Sequence, residues 1–233
     1  MNMSDTPEKT SDLAPSAPAL LKKRKPGRPA AGDKAVSQTD LLEAALKAFA
    51  EHGYEGVSIR KLTRELGVSH NLIHHYFSSK EQLWKSAVEF GFSRIPPGAT
   101  KLLSPDIAPG EEIECLYEAT YMIALTASDH AEYFKIIIDE SALGGPRFDF
   151  LYENFVGEVA DTVNVLFQRA VDRGEARPLP PGLTSIMLLA AIGTPFTMRA
   201  LTRKLIGMDK GRHISAKEGA RAIADSLFYG VRV

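Results

Sequence analysis

The sequence predicts an all-α fold, and three observations carry that expectation. From Ser37 almost to the end, apolar residues recur at three- and four-residue spacing, the period that gathers them on one face of a helix. No convincing run of alternating apolar and polar residues marks a half-buried strand. Capping residues, glycines and prolines fall between the periodic stretches, where helices start and stop.

Residues 1–20 are rich in Ser, Thr, Pro, Ala and Asp without a periodic apolar face and are expected to be disordered. The basic run Lys22-Lys23-Arg24-Lys25-Pro26-Gly27-Arg28-Pro29 follows, and its prolines forbid a continuous helix and favour an extended backbone. An extended cationic segment suits the minor groove of A·T-rich DNA, with Arg24, Lys25 and Arg28 as the expected contacts. Its Pro-Gly-Arg-Pro core resembles the AT-hook motif; the alternative is a basic tail that adds only non-specific attraction.

Ser37 can cap a first helix with Asp40 at the third position, and Leu41, Leu42, Ala45, Leu46, Phe49 and Ala50 repeat at helical spacing until Gly53 ends it. Ser58 can cap a short second helix carrying Ile59, Leu62 and Leu66, which stops at Gly67. After the turn Gly67-Val68-Ser69, a third short helix runs to Tyr76 or Phe77. Ser78-Ser79-Lys80-Glu81 offers another capping box, opening a fourth helix with Leu83, Trp84, Ala87, Val88 and Phe90. Pro96, Pro97, Pro105 and Pro109 then mark a connection rather than structure. Further amphipathic helices are expected at about 110–129, 131–142, 147–173, 183–206 and 215–229, without any internal repeat of solenoid length.

At 233 residues, 44% apolar and 24% charged, the chain has ordinary globular proportions, which excludes collagen, a wholly disordered chain and a small disulfide scaffold. Cys115 is the single cysteine; it cannot form an internal disulfide, fits a reducing compartment and reads as a small buried hydrophobe rather than a reactive thiol. No apolar run approaches the roughly 18 residues of a membrane helix, and Met1 to Leu20 lacks the basic head and apolar stretch of a secretory signal. A cytoplasmic protein without a membrane partner is expected. The net charge of −1 conceals +5 over residues 20–95 and −4 over residues 96–233, the arrangement expected when one part meets a polyanion and the other does not.

The second and third helices, joined by a tight turn that begins with glycine, have the proportions of a helix-turn-helix. The stretch from His52-Gly53-Tyr54-Glu55-Gly56-Val57-Ser58-Ile59-Arg60 through Gly67-Val68-Ser69-His70-Asn71-Leu72-Ile73-His74-His75-Tyr76-Phe77-Ser78-Ser79-Lys80-Glu81 closely resembles the N-terminal domain of the TetR family of bacterial transcriptional regulators. The resemblance covers about residues 38–90; the remainder shares only the helical plan. Leu72 and Ile73 can anchor the third helix, while His70, Asn71, His74 and His75 project polar groups able to meet phosphates or base edges. Residues near the N-terminal end of a recognition helix reach bases best, which makes His70 and Asn71 the expected readers. The resemblance implies a base contact for Arg60 and phosphate contacts for Ser58, Tyr76 and Lys80. Lys80 also sits beside the start of the fourth helix, where backbone N–H groups help hold an anion. His74 stands where the family usually has Tyr and is placed with the phosphate contacts. His70 and His74 have a spacing that could hold zinc, but Asn71 replaces the Glu of the metalloprotease pattern and no third ligand follows, so neither a metal nor a cofactor is expected.

The resemblance implies a ligand-responsive regulator, most readily a repressor, that binds double-stranded operator DNA as a homodimer and is released by a small amphipathic or apolar ligand. The expected organisation is a basic arm at 1–36, a helix-turn-helix domain at 37–82 and a helical ligand-binding and dimerisation domain at 83–233. Tyr121, Phe134, Ile138 and Phe155 are the candidate pocket residues, since tyrosine and large apolar groups between helices suit such a ligand. Asp139, Glu140 and Arg147 could orient a polar ligand group, although charges at helix ends are usually solvated. Ala220, Ile223, Ala224 and Leu227, with Ala216 and Gly219, make a narrow small-residue face expected to dimerise beside residues 183–201; the alternative is a core face within the chain. The fourth helix is the expected pivot between the two domains. Two rivals stand: an architectural DNA-binding protein without a ligand switch and, more remotely, a helical enzyme, although no phosphate-binding loop, Gly-x-Ser-x-Gly elbow or Cys-x-x-Cys site is present.

Overall fold

A computed structural model describes residues 36–208, 211 and 213–231. The arm residues Arg24, Lys25 and Arg28 lie outside the described residues. All regular structure in the described residues is helical.

Helix α1 (Gln38–Gly56) starts as its sequence requires: the Ser37 hydroxyl accepts from the Asp40 amide at 3.1 Å, and the Asp40 carboxylate accepts from the Ser37 amide at 2.8 Å, so two otherwise orphaned amides are satisfied. Gly53, at φ 68°, kinks the helix, a conformation that costs a residue without Cβ little. A final turn continues to Gly56. Helices α2 (Ile59–Glu65) and α3 (His70–Tyr76) follow, then α4 (Lys80–Phe92). Two capping expectations are corrected. Ser58 precedes α2 but makes no side-chain capping bond, which leaves its hydroxyl exposed. At α4 the cap is Ser79, accepting from the Gln82 amide at 3.0 Å, while Glu81 pairs with Lys85 at 2.8 Å instead of closing a box with Ser78.

The first apolar cluster gathers Leu41, Leu46, Phe49, Leu62, Ile73, Phe77, Leu83 and Trp84. It also takes in Ile136 of α7 (Glu132–Leu143) and Leu151 of α8 (Pro146–Leu151). One core therefore runs across the expected boundary at 82/83. Each of these large side chains contributes on the order of 1.5–3 kcal/mol by leaving water.

Beyond α4 the prolines do not leave the chain without structure: Pro97–Leu102 forms α5, packed against α6 (Glu112–Asp129). Pro97 occupies the first turn, where its missing N–H is no loss. The helix expected at 147–173 contains a π-helical turn, Tyr152–Val156, between α8 and α9 (Gly157–Asp172). The helix expected at 183–206 is two, α10 (Leu183–Thr197) and α11 (Arg199–Ile206), bent by 85° at Met198. Pro195 in the last turn of α10 withdraws a helix donor just before the bend. No single helix among the described residues is long and apolar enough to cross a membrane.

Helix α12 (Ala216–Val231) corrects the expected dimer face. Its most extensive packing is on α6 of the same chain. Ala220 and Ala224 are completely buried there, and Ile223 and Leu227 are half-buried against the same bundle. Small side chains let α12 approach α6 closely, so this face is used within the chain. The exposed apolar residues of the neighbourhood are instead Leu183, Ile186 and Met187 on α10 and Met198, Leu201 and Leu205 at and beyond the bend.

A buried ion cluster ties the loop before α6 to α9. Glu112 is fully buried; Arg169 Nε lies 3.0 Å from one of its oxygens, and Arg173 and the Gly110 amide donate to the other. Arg169 also donates to the carbonyls of Pro105 and Ile107, both at 2.8 Å. Burial pushes the Glu112 carboxyl up, but the Arg173 hydrogen bond together with backbone amides outweighs it and holds the group below the usual carboxylate range. Cys115, one turn along, is buried, and burial raises its thiol.

Candidate nucleic-acid interface

The turn between α2 and α3 reverses at Gly67, φ 66°, and is closed by a bond from the Val68 amide to the Thr63 carbonyl at 3.0 Å. Ser69 caps α3 by accepting from the Leu72 amide at 3.3 Å. Ile73 and Phe77 are buried in the first core, and Leu72 packs against it. With that side anchored, His70, Asn71, His74 and His75 all face solvent, because positions i, i+1, i+4 and i+5 share one side of a helix. The His70 and His74 rings lie 4.5 Å apart. Among the described residues no group of three or more His, Cys, Asp or Glu could hold a metal ion.

Ser58 and Arg60 are exposed at the start of α2, and Tyr76 is exposed at the end of α3. Lys80 is half-buried. Its ammonium sits 4.5 Å above the Tyr54 ring and reaches the Glu55 carbonyl at 3.5 Å, so it is drawn to the corner three residues before Ser58. The surface thus offers one run of polar and cationic side chains from the α2 entrance along α3 to the start of α4. Hydrogen-bond donors and acceptors on a short, well-anchored helix are what reading a major groove requires.

Sequence reasoning missed one cluster beside this surface. Glu140 and Arg147 are not solvated helix-end charges: Glu140 is 4% exposed, and Arg147 Nε donates to its two oxygens at 2.9 and 3.1 Å. The same guanidinium lies 4.3 Å above the Tyr54 ring and 3.9 Å from Glu55. Asp139 pairs with Lys135 at 2.6 Å. The signal available in the sequence was Gly144-Gly145-Pro146, which brings the start of α8 back over the end of α7.

The four candidate pocket residues pack against other side chains. Phe134 is buried against Tyr133 at 4.3 Å between ring centres, and Phe155 stacks on Phe92 at 4.1 Å. Ile138 packs against α10 so closely that a Cβ on Gly193 would lie 3.0 Å from it. Tyr121 is half-buried, with the Arg221 guanidinium 5.6 Å from its ring. A crevice of about 220 Å³ lies elsewhere, between α6 and α12, lined by Glu114, Tyr117, Glu118, Arg221, Phe228 and Tyr229.

Comparison with known proteins finds the profile described as bacterial regulatory proteins, tetR family, over residues 41–87. The HTH-type transcriptional repressor AcnR of Corynebacterium efficiens is 48% identical over 56 residues, 24% of this chain and 30% of that protein. The chain thus spans under a third of the length of that curated relative. Over the larger part of the chain the likeness is one of fold. The ketosteroid transcriptional regulator KstR2 of Mycobacterium tuberculosis superposes with a TM-score of 0.66 at 17% identity, covering 86% of this chain and 97% of that one. AibR, solved in complex with isovaleryl coenzyme A and operator DNA, gives 0.64 at 20% identity, covering 81% and 96%.

Proposed function

From the premise that residues 41–87 make this chain a member of the tetR family of bacterial regulatory proteins, we propose that it is a ligand-responsive transcriptional repressor binding a near-palindromic operator as a homodimer. The observation that carries the reading is the outward polar face of α3, held in place by buried Ile73 and Phe77. In this reading His70, Asn71 and Arg60 meet base edges, while Ser58, His74, Tyr76 and Lys80 hold phosphates. Arg24, Lys25 and Arg28 of the arm enter the adjacent minor groove. Residues 37–82 act as the DNA-binding head, and residues 83–233 as the ligand-binding and dimerising body.

That a protein of the same fold has been solved with both an acyl coenzyme A and operator DNA supports pairing the two activities here. The ligand is a small molecule with an apolar body, and Tyr121, Phe134 and Ile138 part to admit it. The second copy covers Leu183, Ile186 and Met187, the exposed apolar residues of α10.

Selection from random-sequence duplex DNA tests the reading. A discrete two-fold site is the expected result; uniform A·T-biased binding would favour an architectural protein instead. On the selected site, Asn71→Ala and Arg60→Ala should each cost about 1–3 kcal/mol against the cognate sequence and little against random DNA. Lys80→Ala should weaken both alike and lower the salt slope by about one unit. The reverse pattern would exchange these roles.

A further inference from the structure

Gly53 ends the regular part of α1, and the residues that follow, Tyr54 to Val57, lead directly to Ser58 and Arg60. Whatever holds the Tyr54 ring therefore holds the entrance to α2. From α1 and α4, Phe49 stacks on the ring at 5.9 Å, Trp84 meets it edge-on at 6.3 Å, and Lys80 covers it at 4.5 Å. Arg147 reaches it from α8, more than ninety residues further along the chain, at 4.3 Å.

The two ends of the Arg147 side chain's contacts are unequal. On the body, Glu140 is 4% exposed and accepts from Arg147 Nε with both oxygens. A carboxylate removed from water must keep its cation, so Arg147 is seated firmly on α7. On the head, the contacts are a half-exposed cation–π stack and an ion pair at 3.9 Å with Glu55, which is 84% exposed. Such contacts are weak and screened. The cluster is thus anchored to the body and grips the head lightly.

We propose that Arg147 is a positioning residue for operator binding: seated on Glu140, it holds the Tyr54 ring and sets the angle at which α2 and α3 leave the body. This rests on the regulator reading above and adds a route to it. A shift of α7 or α8 reaches the base-reading helices through one guanidinium, without passing along α4. Only a planar, forked cation can stack on the ring and pair with Glu140 together, so lysine should not replace it.

The test uses the full chain and the operator selected from random DNA. Arg147→Lys keeps the charge beside Glu140 and loses the stack. It should lower operator affinity about two- to fivefold, the size of a surface cation–π contact, and speed amide exchange at residues 54–60, far from the substitution in sequence. Tyr54→Leu leaves the Arg147–Glu140 pair intact and should give a loss at least as large, since the ring's contacts with Phe49, Trp84 and Lys80 go as well. The double variant should be no weaker than Tyr54→Leu, because the contact that Arg147→Lys removes is already absent there. Losses that multiply, or unchanged exchange at residues 54–60 in folded Arg147→Lys, would overturn the role. If Arg147→Lys does not fold, Tyr54→Leu decides by itself, and undiminished operator affinity rejects the proposal. A wild-type chain that enriches no DNA sequence overturns the regulator reading and this role with it. An operator bound equally by wild type and both variants overturns this role alone.

Discussion

Tyr133 carries a hydroxyl that works against stability. Its side chain is 1% exposed, its oxygen has no hydrogen-bond partner among the described residues, and burial pushes the phenol well above its usual range. Leaving a buried hydroxyl unpaired costs about 1–3 kcal/mol. Tyr133→Phe should therefore raise the urea midpoint, and a drop would reveal a partner that the hydroxyl acquires. Glu112 behaves in the opposite sense. Its carboxyl is held down in the folded state, so the stability it supplies is present above the unfolded value of about 4.3 and disappears as pH falls through the lower folded value. Thermal melts from pH 6 to pH 2.5 should show this acid loss in the wild type and a flatter profile in Glu112→Gln, which starts less stable because Arg169 and Arg173 lose their shared anion. Neither residue announces this in the sequence. Cys115 reads correctly as a buried hydrophobe from its chemistry alone, whereas burial of Glu112 and Glu140 depends on which arginines the fold brings to them.

Among the elements, α1 to α4 were legible because their ends are chemically marked: Ser37 with Asp40, Gly53, Gly67 and Ser79 each fix a boundary. Helix α5 was hidden because proline was read as a breaker, although at the first turn it starts a helix as readily as it stops one. The bend at Met198 was hidden because apolar residues continue on both sides of Pro195. Periodicity also finds the small face of α12 without saying what covers it. The structure assigns that face to α6, which changes what its mutation should do. Ala220→Glu places a charge in a site with no exposure and should unfold the chain, costing several kcal/mol. Ile186→Glu, at 65% exposure on α10, should leave a folded chain with a normal circular-dichroism melt. Sedimentation would then give a monomer if α10 meets a second copy; an unchanged dimer would move that contact elsewhere.

For the molecule as a whole, the residues proposed to read bases were legible as a motif, but their attachment to the rest was not. The sequence suggests a DNA-binding unit joined to the body by α4. The structure adds α1 against α7, Arg94 bridging Glu43 at 3.4 Å and the His130 ring at 3.2 Å, and Arg147 over Tyr54. These contacts join residues far apart along the chain, such as Glu43 with Arg94 and Tyr54 with Arg147, and no local pattern reports them. The shared core has a further consequence for portability. Ile136 and Leu151 complete the apolar cluster around Leu46 and Trp84, so a chain cut after Phe92 carries every proposed base contact away with one wall of its core missing. A chimera that grafts residues 37–92 onto a foreign body inherits the specificity of α3 only if that body offers matching side chains where Ile136, Leu151 and Arg147 stood. On the proposed reading, the transferable unit of DNA recognition is residues 37–92 together with α7 and α8.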